Sequence, residues 1–284
     1  MVSQDHPPYA AVALRRGVLA VSVLDDIDVE PGSLGVVLPG PPPLELTWDE
    51  VAAATGARHP ETDAGRQRLR WWLRSRRRAA DLVPLEPRLR AVGLPVGHLL
   101  HPGGPWVCER VLGGALELGL GVLGLDPDDP DAVVALPPPA LQHAGVDPAR
   151  AWPAARTLLE AVGLLAASLL ARDAKGVLRP VGDADVVTLL GARSLRACLA
   201  GPDGGMVGAV VPMRRRGWTR LSLVDPAFGP AAAAATPAAE RGFARPLLLT
   251  ADEVVLVEPG GHPGIALRQA VGDDPRWGRD VLRR

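Results

Sequence analysis

The stretch AARTLLEAVGLLAASLLAR, residues 154–172, decides how the rest of the chain is read. Alanine and leucine dominate it, no proline interrupts it, and between Ala161 and Ala171 apolar side chains fall on every face. The pattern predicts a helix over about 154–172 that is central and buried rather than amphipathic. Its apolar run is shorter than the roughly 18 to 20 residues that cross a bilayer, so no transmembrane span is expected.

Toward the C-terminus, a second helix is expected over about Asp183–Leu199, with Asp183 and Asp185 as capping residues. Met206–Met213, Leu221–Val224 and Leu247–Val257 read as strands, and the polyalanine run Ala231–Ala235 as a short surface helix or loop. A weak helical stretch and a frayed basic end follow Gly260–Gly261. Toward the N-terminus, the β-branched runs between Tyr9 and Leu38 predict a small antiparallel sheet. Thr47 with Glu50 three residues on is a capping box, so Trp48–Thr55 reads as a short helix, and a longer one is expected from Thr62 or Asp63 to Leu82. Trp106–Leu125 has no decisive period, and the reading leans to helix through Leu118. Residues 126–148, rich in proline and acids, form the candidate linker between lobes 1–125 and 146–284, a single domain remaining the alternative. The class is α+β, with antiparallel strands near both termini and a central helical core.

Composition removes whole classes of function. The 284 residues carry 31 basic and 32 acidic side chains, a net charge of -1. Lys175 is the single lysine and asparagine is absent, a bias against AT-rich codons that points to a GC-rich, bacterial genome. Lys175 lies outside any Gly-Lys-Ser/Thr sequence, which excludes a P-loop, and without Asn the kinase magnesium pair cannot be built. A Schiff-base enzyme would have to use Lys175. One tyrosine and two phenylalanines cannot furnish an RNA-recognition sheet. Cys108 and Cys198 lie far apart with no paired spacing, and the N-terminus lacks a basic region followed by an apolar core, so a cytoplasmic protein is expected. No cofactor or metal motif emerges. Gly119, Gly121 and Gly124 match the dinucleotide glycine spacing, but the pattern runs into Asp126-Pro127 instead of opening a helix. The acids Asp126, Asp128, Asp129 and Asp131 lack the glycine of a calcium loop and read as solvated linker.

Between Arg66 and Arg78 there are seven arginines and no acid in thirteen residues. On a helix, Arg66, Arg70, Arg74 and Arg77 share one face, Leu69, Trp72 and Leu73 line the other, and Trp71 lies toward solvent. Arg76 falls in the apolar sector and must be paired or snorkel outward. A second cluster, Arg214, Arg215, Arg216 and Trp218, would extend the patch if the two share a surface. The leading expectation is therefore a non-enzymatic regulatory or adaptor protein that docks an acidic partner through these residues, with nucleic acid as an alternative ligand. The alternative from another class is a small-molecule hydrolase or transferase using His98, His101 and Cys108, the best available acid/base and nucleophile set.

Overall fold

The computed structural model describes residues 8–256 except 41–42, 56–58, 83, 103–105, 127–128, 202–204, 221–226 and 253. The expected strand at Leu221–Val224 and the helical stretch after Gly260 lie outside the described residues. The chain is α+β, with eight α-helices and three antiparallel sheets among the described residues. It divides into two compact units whose segments alternate: residues 1–89, 100–107 and 122–148 in one, and 90–99, 108–121 and 149–284 in the other.

The first unit opens with α1 (Pro8–Asp25), followed by the sheet β1 (Glu30–Pro31), β2 (Gly35–Leu38) and β3 (Leu44–Thr47), then α2 (Trp48–Thr55) and α3 (Asp63–Asp81). The strands expected between Tyr9 and Leu24 are instead α1. Its buried residues Ala13, Leu14, Val18 and Val21 recur at helical spacing, so a helix buries them on one side where alternation would expose half. Gly17 lets α1 approach α3, since a Cβ there would lie 2.9 Å from the Pro60 carbonyl oxygen and 3.2 Å from Leu69 Cδ1. Strand β2, α2 and α3 form where expected. The Thr47 N–H donates to Glu50 Oε2 (2.8 Å) while the Glu50 N–H donates to Thr47 Oγ1 (3.2 Å), closing the capping box. Thr62 caps α3 by accepting from the Gly65 N–H.

A single 3-10 turn (Glu86–Arg88) leads into β4 (Leu89–Pro95). In place of a helix through Leu118, β5 (Cys108–Val111) and β6 (Leu116–Leu123) pair antiparallel, Cys108 opposite Gly119. The glycines that would have weakened a helix here serve the turn, Gly113 and Gly114 both adopting positive φ beside Leu112. Gly119 and Gly121 lie within β6, so the dinucleotide spacing opens no helix. The 126–148 stretch carries β7 (Val133–Ala135) and α4 (Pro138–His143).

The second unit is built on α5 (Pro148–Ala171), followed by β8 (Val177–Leu178), α6 (Val186–Gly191), α7 (Arg193–Ala200), β9 (Val207–Met213), β10 (Arg216–Trp218), α8 (Phe228–Ala235), β11 (Leu247–Leu249) and β12 (Val254–Leu256). Its sheet runs β12-β11-β9-β10-β8, and a further sheet runs β4-β6-β5 with β7 pairing with β6. The helix expected over 183–199 is two, because Ala192 is extended and breaks it, and Asp185 caps α6 as expected. The Leu247–Val257 run divides into the hairpin β11–β12.

The largest departure is α5. Ala155, Leu159, Ala166 and Ala167 enter the core, but Leu158, Leu164, Leu165 and Leu169 are 42%, 55%, 54% and 50% exposed. The helix is buried on one side only. Apolarity on every face signals burial only if every face meets a partner, and this unit covers one.

The α1–α3 crossing makes a direct prediction. Gly17→Val should lower stability by about 1–3 kcal/mol through overpacking against Pro60, measured as the urea midpoint. An unchanged midpoint would show that α1 does not pack there.

Candidate functional site

Helix α3 places its arginines in three environments. Arg68 and Arg76 are buried, Arg66, Arg70, Arg74 and Arg77 are half-buried, and Arg78 is exposed. The expected basic face forms, but acids of the same unit meet much of it. Arg66 pairs with Asp63, Arg70 with Asp25 of α1 (3.0 Å), and Arg77 with Asp81 (2.9 Å). Trp71, expected toward solvent, packs against the unit's core, with the Arg68 guanidinium over its ring at 5.5 Å.

Arg76 takes the paired option. Its guanidinium lies over Trp72 at 5.7 Å and donates through Nη2 to Glu50 Oε1 at 3.3 Å, while its buried Nε has no hydrogen-bond partner. Burial lowers its pKa from the ordinary arginine value, and Glu50 works against that shift. Arg68 donates to the Ala54 carbonyl oxygen at the end of α2 (2.6 Å).

The last turn of α3 forms one wall of a cleft of about 550 Å³. Arg74, Arg77 and Arg78 line it with Asp81, and Asp25, Asp26, Ile27, Asp28, Leu38 and Pro39 complete it. Asp26 turns the chain out of α1 at φ 52°, a left-handed conformation that aspartate tolerates better than most residues. Arg77 is held over Gly40, whose φ is +144° and where a Cβ would overlap the guanidinium. The cleft thus sets cations of α3 against carboxylates at the exit of α1.

The second arginine group belongs to the other unit and is structural in part. Arg214 is buried: its Nε donates to Asp185 Oδ2 (2.6 Å), its N–H to the Glu240 carbonyl oxygen, and its carbonyl accepts from the Val186 N–H. Arg215 lies 3.5 Å from Glu240, and Arg216 sits over Trp218, which meets Phe228 edge-on.

The histidine and cysteine candidates have separate engagements. His98 is buried and its Nε2 meets the Arg241 carbonyl oxygen at 3.0 Å, so that nitrogen carries the proton. His101, in the first unit, stacks edge-on against Trp106. Cys108 lies in β5, where burial foremost, then Glu117, raises its thiol pKa against the pull of Arg110. A raised pKa keeps the thiol protonated, opposite to what a nucleophile needs. Among the described residues no three His, Cys, Asp or Glu side chains converge to hold a metal ion.

A residue that the sequence reading missed is Glu160. It leaves α5 to accept from the backbone N–H groups of Ser194 (2.8 Å) and Arg193 (3.1 Å), closing the start of α7. Burial opposes its charge, but the backbone and hydroxyl hydrogen bonds from Ser194, the Arg193 N–H and Arg156 together hold its pKa below the usual value. Nearby Arg196, inside the same unit, donates to the Leu190 carbonyl oxygen, and burial lowers its pKa to about 10. No local signal marks the role of Glu160 at α7, because the N–H groups it accepts from lie 33 and 34 residues away.

No protein-family model matches this chain, and no curated protein or solved structure is detectably similar to it.

Two predictions follow from these carboxylates. Glu50→Ala should cost several kcal/mol, because it strands a buried guanidinium, whereas Arg76→Met should cost far less, since it removes charge and partner demand together. Equal losses in urea titrations would refute that asymmetry. Glu160 has a depressed folded pKa, so its contribution is complete above its unfolded value of about 4.3 and fades as pH falls through the folded one. The stability difference between the wild-type chain and Glu160→Gln should therefore be level at neutral pH and shrink in acid, read from unfolding midpoints across pH.

Proposed function

We propose that this chain is a binding protein that holds a segment of a protein partner in the cleft at the end of α3. The observation that carries the reading is the apposition of Arg74, Arg77 and Arg78 with Asp25, Asp26 and Asp28 in one concave site of about 550 Å³. Arg66 and Arg70 pair with Asp63 and Asp25 and position the helix, while Arg74 lines the cleft and the exposed Arg78 offers its cation to a partner's carboxylate. The acidic wall sharpens the expectation of a purely acidic partner. A uniformly acidic segment is repelled by the aspartates, whereas one with carboxylates followed by a cation satisfies both walls. The same wall disfavours a nucleic-acid backbone, which offers only negative charge. His98, His101 and Cys108 line neither this cleft nor the cleft beside α5.

Fluorescence anisotropy with three labelled hexapeptides tests this directly: Glu-Glu-Glu-Lys-Lys-Lys, hexaglutamate and hexalysine. The mixed peptide should bind most tightly, weaken as salt rises, and lose about tenfold or more with Arg74→Glu/Arg78→Glu. Equal binding of all three, or affinity indifferent to the double variant, would overturn the reading.

A further inference from the structure

Among the described residues of its unit, no other helix exposes as many leucines as α5. Leu158, Leu164, Leu165 and Leu169 stand about half exposed, and Ala154 and Ala161 extend the same side. The two hydroxyls among them are turned back onto the helix: Thr157 donates to the Pro153 carbonyl oxygen (2.9 Å) and Ser168 to the Leu164 carbonyl oxygen (3.0 Å). Hydroxyls satisfied this way ask nothing of the surroundings, so the whole side is apolar in effect. It carries no acid, because Glu160 is directed onto the start of α7.

Charge returns at the C-terminal end. Arg172 and Lys175 follow α5 directly, and Arg220 packs over the turn at Gly176. Here the apolar side opens into a cleft of about 480 Å³ lined by Leu164, Ala167, Leu170 and Leu199, with Asp173, Thr219 and Arg220 at its polar end. By length and composition α5 could cross a membrane, yet its opposite side holds the unit's core and Glu160 closes α7. Spanning would dismantle the unit; lying flat would not.

We infer that α5 seats this protein on an anionic lipid surface, its leucines in the headgroup boundary and Arg172, Lys175 and Arg220 on lipid phosphates. An apolar helix side with cations beside it is the chemistry of an interfacial helix. A second copy fits less well. Four half-exposed leucines offer on the order of a few hundred Å², the size of a functional patch but short of the roughly 800 Å² per partner of a stable dimer.

Flotation of the full chain with vesicles tests this, using pure phosphatidylcholine and phosphatidylcholine with a third phosphatidylglycerol. The protein should float with the anionic vesicles. Leu165→Asp/Leu169→Asp, both at exposed sites, should cut the bound fraction at least tenfold with an unchanged circular-dichroism spectrum and unchanged peptide binding at the α3 cleft. Arg172→Ala/Lys175→Ala should weaken binding to anionic vesicles roughly tenfold or more. Equal binding to both vesicle types, binding retained by the leucine variant, or a dimer by light scattering that this variant dissolves would each overturn the proposal.

Discussion

The carboxylate of Glu50 closes the first turn of α2 with one oxygen and meets the buried guanidinium of Arg76 with the other. That double use joins a helix start to the interior of its unit. Arg76 sits among apolar neighbours because Trp72 covers it and Glu50 answers its charge. Moved away from Glu50, the guanidinium would be a buried unpaired ion, costing several kcal/mol. The register of α3 against α2 is thereby fixed, and with it which arginines of a run of seven face the cleft. Gly17 sets the approach of α1 to the same helix, bringing Asp25 to Arg70.

The second unit repeats the device with different residues. Glu160 belongs to α5 and spends its oxygens on the first N–H groups of α7. A helix N-terminus has unsatisfied donors and a partial positive charge, and a carboxylate from a neighbouring helix serves both. The consequence is orientation: with Glu160, Leu159 and Ala166 turned inward, the leucines at 158, 165 and 169 must face away. The exposed apolar side of α5 is the geometric complement of the buried one.

Legibility followed the range of the interaction. The Thr47–Glu50 capping box, the Thr62 cap and the Asp185 cap join residues three apart, and each could be seen in the order of residues. Amphipathicity located α3 and assigned Arg76 to its apolar sector. Where local preference and packing disagreed, the reading failed. The valines of α1 favour strands in isolation, but Ala13, Leu14, Val18 and Val21 are buried together only on a helix. The glycines of 113–124 obscured a hairpin whose pairing, Cys108 with Gly119, is a contact eleven residues apart.

Taken alone, the sequence determined the α+β class, the capped helices, the lack of a P-loop motif and the concentration of arginine on one helix face. These depend on residue identity and short spacing. Only the tertiary structure decided that Asp25 would answer Arg70 on that face, that aspartates would stand opposite Arg74 and Arg78, and that α5 would keep one apolar side uncovered. Charge pairing and burial depend on distance in space, and residues 45 apart such as Asp25 and Arg70 carry no trace of their meeting in the order of the chain.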